Sequence, residues 1–107
     1  MVDVVETAGG LRVSGMLDVR SVSEVRTALY RVLEGSTGDI AIDLSSLDAL
    51  DATGLAVIVA AHRRALAQGR QLVLHGVRPS LARVLAVTRL NRVLVVNRAS
   101  ASGSTAA

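Results

Sequence analysis

The sequence predicts an α/β domain: a mixed sheet of four to five strands packed with about three main helices and opened by a β-hairpin. Three observations carry this. Two short β-branched or alternating runs flank a Gly-Gly pair near the N-terminus, which is the pattern of a tight hairpin. Beyond them, segments with apolar residues at helical spacing alternate with short β-branched runs, the order that folds as a sheet with helices against it. Half of the 107 residues are hydrophobic, enough for one packed core and, at this length, not for two.

The elements follow in order. Val2 to Glu6 and Leu11 to Ser14 read as the hairpin strands, with Leu11 and Val13 inward and Arg12 and Ser14 toward water. Ser21-Val22-Ser23-Glu24 has capping-box spacing. Val25, Ala28, Leu29, Val32 and Leu33 then mark the buried stripe of a first helix, which ends at Gly35-Ser36-Thr37-Gly38. Ile40, Ile42 and Leu44 read as a central strand. A second helix runs from about Thr53 to Gln68. Its start, Leu-Ala-Val-Ile-Val-Ala-Ala, is apolar nearly all round, so that end is expected to be deeply buried. Arg63, Arg64 and Arg70 return it to water, and Gly69 is its stop. Gln71 to His75 is a further strand, Pro79 opens a third helix with Leu81, Val84 and Leu85 inward, and Val93 to Val96 is a last short strand. The domain spans residues 1–96. Residues 97–107, rich in Ser, Ala and Gly, are expected to be a flexible tail.

Charge is unevenly placed. Residues 1–51 hold all nine acids and four arginines, a net −5, and residues 52–107 hold eight arginines and no acid, +8. A basic half raises the question of nucleic acid. No aromatic residues are interleaved with the arginines, and no helix-turn-helix or zinc pattern is present, so direct nucleic-acid binding is not expected. The expected role of these arginines is a solvated helix surface paired with acids of the first half, or a charge polarity that orients a protein partner. The chain has no cysteine, hence no disulfide or thiolate metal site. It has no run long enough to span a bilayer and no signal-peptide pattern, so no membrane insertion and a cytoplasmic location are expected.

Enzyme chemistry is poorly represented. His62 and His75 lie on different predicted elements and no acid follows Asp51. There is no nucleophile elbow, no phosphate-cradling Gly-rich loop and no His-Glu-x-x-His, so no catalytic residue, metal or cofactor is assigned. The stretch Ile40–Leu55, IAIDLSSLDALDATGL, is more informative. It sets Thr53 at a strand-to-helix turn. Helix N-termini carry free amides and partial positive charge. A hydroxyl there caps the helix, and the same place suits a phosphate. Asp18 and Asp51 have ordinary readings too, as acceptors for turn amides.

Asp-Leu-Ser at 43–45 followed by Asp51-Ala52-Thr53-Gly54-Leu55 resembles the signature of STAS domains, in particular the bacterial anti-sigma factor antagonists. Gly15-Met16-Leu17-Asp18 is similar to that family's earlier Gly-x-Leu-Asp motif. The resemblance covers about Val2 to Val96. It implies a stress-response transcription regulator that is not itself an enzyme. Unphosphorylated, such a protein binds an anti-sigma factor with serine/threonine kinase activity and frees a sigma factor. Phosphorylation of the hydroxyl residue before the glycine, here Thr53, switches it off, and a phosphatase resets it. The family more often has serine there, and often serine before it, where this chain has Ala52. The implied partner surface is Asp18, Asp48, Asp51, Ala52, Thr53, Gly54 and Leu55. One alternative is a STAS adaptor subunit of an ABC-type membrane lipid-transport complex. Those relatives favour Thr-Ala-Gly-Leu over the Ala-Thr-Gly-Leu found here. Another is a small enzyme using His62 or His75.

Overall fold

The Gly-Gly hairpin forms as its spacing predicts. In the computed structural model, which describes residues Val2–Arg98, β1 (Val2–Thr7) turns through Ala8-Gly9 into β2 (Gly10–Leu17). Gly9 takes the positive φ of 75° that such a turn needs. There follow α1 (Val22–Gly35), β3 (Ile40–Asp43), β4 (Leu47–Leu50), α2 (Ala52–Ala67), β5 (Leu72–Val77), α3 (Pro79–Val87), a 3₁₀ turn (Leu90–Arg92) and β6 (Val95–Arg98). The last strand extends two residues past the expected boundary. The rest of the expected tail, residues 99–107, lies outside the described residues.

The sheet is mixed, in the order β1-β2-β3-β5-β6, with only the β1–β2 pair antiparallel. A sixth strand, β4, which the sequence pattern did not disclose, pairs in parallel with the end of β2. Leu11, Ile42 and Leu74 lie in register and are buried. The alternate row, Arg12, Asp43 and His75, is in register on the opposite face and open to water. One face of the sheet therefore carries the core and the other is wet. The stripe of α1 is buried as predicted, joined by Val22.

Three expectations are corrected. Ser21 sits at the start of α1, but its side chain does not cap it; the hydroxyl accepts from the Asp18 amide at 3.0 Å and donates to the Met16 carbonyl at 2.8 Å. Arg70 does not return to water. It is 8 % exposed, and its guanidinium donates to the carbonyls of Leu33 (2.7 Å) and Gly38 (2.6 Å) and to Ser36 Oγ (2.8 Å). The Leu33 carbonyl and Ser36 belong to the end of α1, where a cation suits the dipole, and the Gly38 carbonyl belongs to the loop that follows. Third, the late arginines do not pair with the early acids. Among the described residues the ion pairs are Arg12–Asp43 and Arg31–Glu6, both within the first half. The strand order accounts for this, since it carries the first half of the chain toward the β1 edge and the second toward the β6 edge. Arg64 lies instead over the Tyr30 ring, 5.1 Å from its centre.

Candidate functional site

The short β2–β4 pairing builds the site. Met16 pairs with Ala49 and Leu17 with Leu50 after a register shift at Gly15–Met16. Both strands therefore end side by side, and the residues that follow them, Asp18 and Asp51, come together. The Asp51 amide donates to the Leu17 carbonyl at 3.1 Å. Its carboxylate then joins the two segments: Oδ1 accepts from the Gly54 amide at 2.9 Å, and Oδ2 accepts from the Val19 amide at 3.2 Å.

Asp51 is thus the N-cap of α2, and Thr53 is not. Thr53 occupies the second position of the helix, half-buried. Aspartate is as good a cap as threonine or better, and the extended backbone at Asp51 aims its oxygen at the amide three residues on. The helix begins within two residues of Thr53, as the sequence predicts, but the hydroxyl is released from capping.

Gly54 explains how closely α2 approaches the sheet. A methyl group on it would lie 2.8 Å from Leu17 Cγ, 2.9 Å from the Leu17 carbonyl oxygen and 2.9 Å from Leu50 Cδ1. Asp18 is held in a tight turn, where Oδ1 accepts from the Arg20 amide at 3.0 Å. That bond above all, helped by the Ser21 hydroxyl and amide, holds its carboxyl below the usual aspartate range against the opposing effect of desolvation. Of the seven residues singled out from sequence, Asp18, Asp51, Ala52, Thr53, Gly54 and Leu55 gather at this junction. Asp48 stands on exposed β4 at the lip of an adjoining groove.

That groove is one of the features the sequence did not disclose. It measures about 450 Å³ and lies between β4, the start of α2 and α3, with Leu47, Leu50, Leu55, Leu81 and Val84 on its walls. Other apolar side chains on the neighbouring segments are bare as well. Val87 on α3 is 78 % exposed and Val19, beside Asp18, is 67 % exposed. Exposed apolar surface rimmed with charge marks an interaction surface. The expectation that the start of α2 is buried all round is corrected as well. Gly54, Val57, Ile58, Ala61, His62 and Ala65 face the core, whereas Ala52, Ala56 and Ala60 are exposed and Leu55 and Val59 are half-buried. Consecutive small and aliphatic residues conceal which side is wet, so periodicity carries no signal there.

The two histidines are far apart in environment. His62 is buried in the core, 1 % exposed, with no hydrogen-bond partner for either ring nitrogen. Burial lowers its pKa, and the nearby Val93 backbone offsets this only in part. His75 is on the wet face of the sheet, with Nδ1 3.3 Å from Asn97 Nδ2. Among the described residues no cluster of three or more His, Asp or Glu is placed to hold a metal ion, and no helix is long and apolar enough to cross a membrane.

A family model described as "Mlab, STAS domain" matches residues 1–96. The chain is 29 % identical over 87 residues to an anti-sigma-B factor antagonist of Staphylococcus aureus (strain NCTC 8325 / PS 47), covering 81 % of each chain. Its fold is similar to the crystal structure of an anti-sigma factor antagonist from Mycobacterium paratuberculosis, with a TM-score of 0.77, 22 % identity, and 91 % of this chain and 84 % of that one covered. It is also similar to the Bacillus cell fate determinant SpoIIAA in its phosphorylated form, with a TM-score of 0.66, 17 % identity and 90 % of each chain covered. At these identities the two structures speak for the fold alone.

Proposed function

The chain belongs to the STAS domain family, and from that premise we propose that it is an anti-sigma factor antagonist switched at Thr53. Unphosphorylated, it binds an anti-sigma factor and frees a sigma factor for transcription in the cytoplasm. The anti-sigma factor is a serine/threonine kinase that modifies Thr53, and a phosphatase reverses the step. Catalysis lies with the partners.

One observation carries this reading. Thr53 is at the start of α2 without being its cap, two residues after the Asp51 carboxylate that ties α2 to the Asp18 turn, and its neighbours Ala52 and Leu55 line the apolar groove. The unmodified hydroxyl is small and neutral, and a partner can cover it. A phosphoryl group adds about −1.5 to −2 charges. The helix start is a poor sink for that charge, because the Asp51 carboxylate already occupies the Gly54 amide and Asp18 and Asp48 add to the repulsion. Covering the group costs desolvation, and about 1.4 kcal/mol is a tenfold loss of affinity. No refolding is needed.

The test is capture from a bacterial lysate with wild-type protein, Thr53→Ala and Thr53→Glu, followed by incubation of the captured partner with ATP. Wild type and Thr53→Ala should hold a kinase-fold protein and Thr53→Glu should not. Only the wild type should take up phosphate. Phosphate on Thr53→Ala would refute the site.

A second reading within the STAS family, whose matching model is described as "Mlab, STAS domain", is the adaptor subunit of an ABC-type membrane lipid-transport complex. Under that reading the same capture returns a transporter ATPase, and Thr53 takes up no phosphate.

A further inference from the structure

The outer side of α2 is apolar and, within the described chain, uncovered. A depression of about 330 Å³ runs along it from Ala52 past Leu55, Ala56 and Val59 to Arg63. It shares Ala52 and Leu55 with the groove that Asp48 overlooks. The two ends of this face differ in charge. Asp51 and Asp48 stand at the N-terminal end. Arg63 stands at the other, and Leu90, which lines the same depression, has Arg89 and Arg92 on either side of it in the chain. Those three arginines have no carboxylate partner among the described residues. From Ala52 to Arg63 the helix advances about 16 Å.

We infer that this face binds a second copy of the chain, α2 against α2, in a symmetric antiparallel dimer. A two-fold interface uses one patch on both subunits and must complement itself. A face that is acidic at one end and basic at the other does so when turned end for end. With the axis passing between Val57 and Ile58, Ala52 lies opposite Arg63 of the second copy, Leu55 opposite Ala60, and Ala56 opposite Val59. A larger side chain meets a smaller one at both central steps, which is the condition for close packing. Asp48 and Asp51 of each copy approach the arginine end of the other, so every charge contact is made twice. The opposed helix dipoles add to the same preference. The pairing covers Ala52 and Leu55, so the dimer and the anti-sigma complex exclude one another. The dimer itself does not depend on the antagonist reading; only its exclusion of the anti-sigma complex rests on it.

The test is sedimentation velocity on the full chain over a concentration series, at low and high salt. The variants are Ala56→Arg, Asp48→Arg, Arg63→Glu and the double variant Asp48→Arg/Arg63→Glu, each checked for fold by circular dichroism. All three sites are exposed. The wild type should show a concentration-dependent dimer that weakens with salt. Ala56→Arg should abolish it. Each single reversal should raise the dimer dissociation constant about tenfold, and the double variant should restore it, because both halves of each contact are then reversed. A wild type monomeric at every concentration overturns the inference. So does a dimer indifferent to Ala56→Arg, or a double variant no better than the singles.

Discussion

Replacing Asp51 with alanine should unseat the start of α2, whereas replacing Thr53 should not. The Asp51 carboxylate accepts two backbone amides, Gly54 at 2.9 Å and Val19 at 3.2 Å. Loss of an N-cap costs about 0.5–2 kcal/mol. The second bond, from another segment, contributes about 0.5–1.5 kcal/mol more. Asp51 is exposed, so water relieves part of the loss, and a total of about 2 kcal/mol is expected. Thr53→Ala loses a half-buried methyl and a hydroxyl that takes no part in the cap, and gains helix propensity. The net effect should stay within about 0.5 kcal/mol. Urea unfolding followed by circular dichroism separates the two. With a slope of about 1–2 kcal/mol per molar for a domain of this size, Asp51→Ala should lower the midpoint by about 1–2 M, and Thr53→Ala should barely move it. Asp51→Asn, which keeps one acceptor oxygen, should fall between. Equal losses at Asp51 and Thr53 would return the cap to Thr53 and refute the geometry. The same comparison matters for function, because a stable Thr53→Ala is a clean non-phosphorylatable variant.

Three further outcomes follow from the packing. Arg70→Met should lose about 2–4 kcal/mol in denaturant unfolding, because it strips the carbonyls at the end of α1 of charged donors; Arg70→Lys, a point charge without the planar fork, should recover only part. Gly54→Ala should cost about 1–3 kcal/mol, since the Leu17 carbonyl cannot give way and α2 must shift; under the proposed switch phosphate uptake at Thr53 should fall with it, and an unaltered rate would mean the close approach is immaterial. Burial depresses the His62 pKa below 6.5 in the folded state, so the unfolded chain binds the proton more readily and the stabilisation from a neutral His62 is full above about pH 6.5 and is lost as pH falls below it. Unfolding curves between pH 5 and 8, set against His62→Leu, should show this acid sensitivity in the wild type only.

The hairpin, the stripe of α1 and the Pro79 helix start were legible because each rests on local rules: a positive φ at glycine, a 3.6-residue period, a fixed proline φ. That the residues at 18 and 51–55 come together was legible from the order of the elements, but how they bond was not. Thr53 and Asp51 are two residues apart and both cap helices, so local chemistry could not rank them; the β2–β4 pairing decided it by fixing where the chain turns. β4 itself was hidden because Leu47–Leu50 is four residues long and only Leu47 is buried. Arg70 read as a solvent charge because the acceptors that bury it, in Leu33, Ser36 and Gly38, are 32 to 37 residues away in the chain. The wet side of α2 could not be told from its dry side, since alanine and valine occupy both.

The position of β2 bears on the order in which the molecule assembles. This strand has β1 along one edge, and on the other β3 against Gly10–Arg12 and β4 against Gly15–Leu17. The hairpin edge closes through a two-residue turn and should form within microseconds. The other edge is closed by strands that arrive only after the whole of α1 has been passed, and such non-local parallel pairing is slow. The junction of Asp18 with Asp51 belongs to the later event. In a refolding experiment with pulsed amide labelling, the hairpin amides should be protected first and those of Val19 and Gly54 late, so that this junction matures after the frame that carries it.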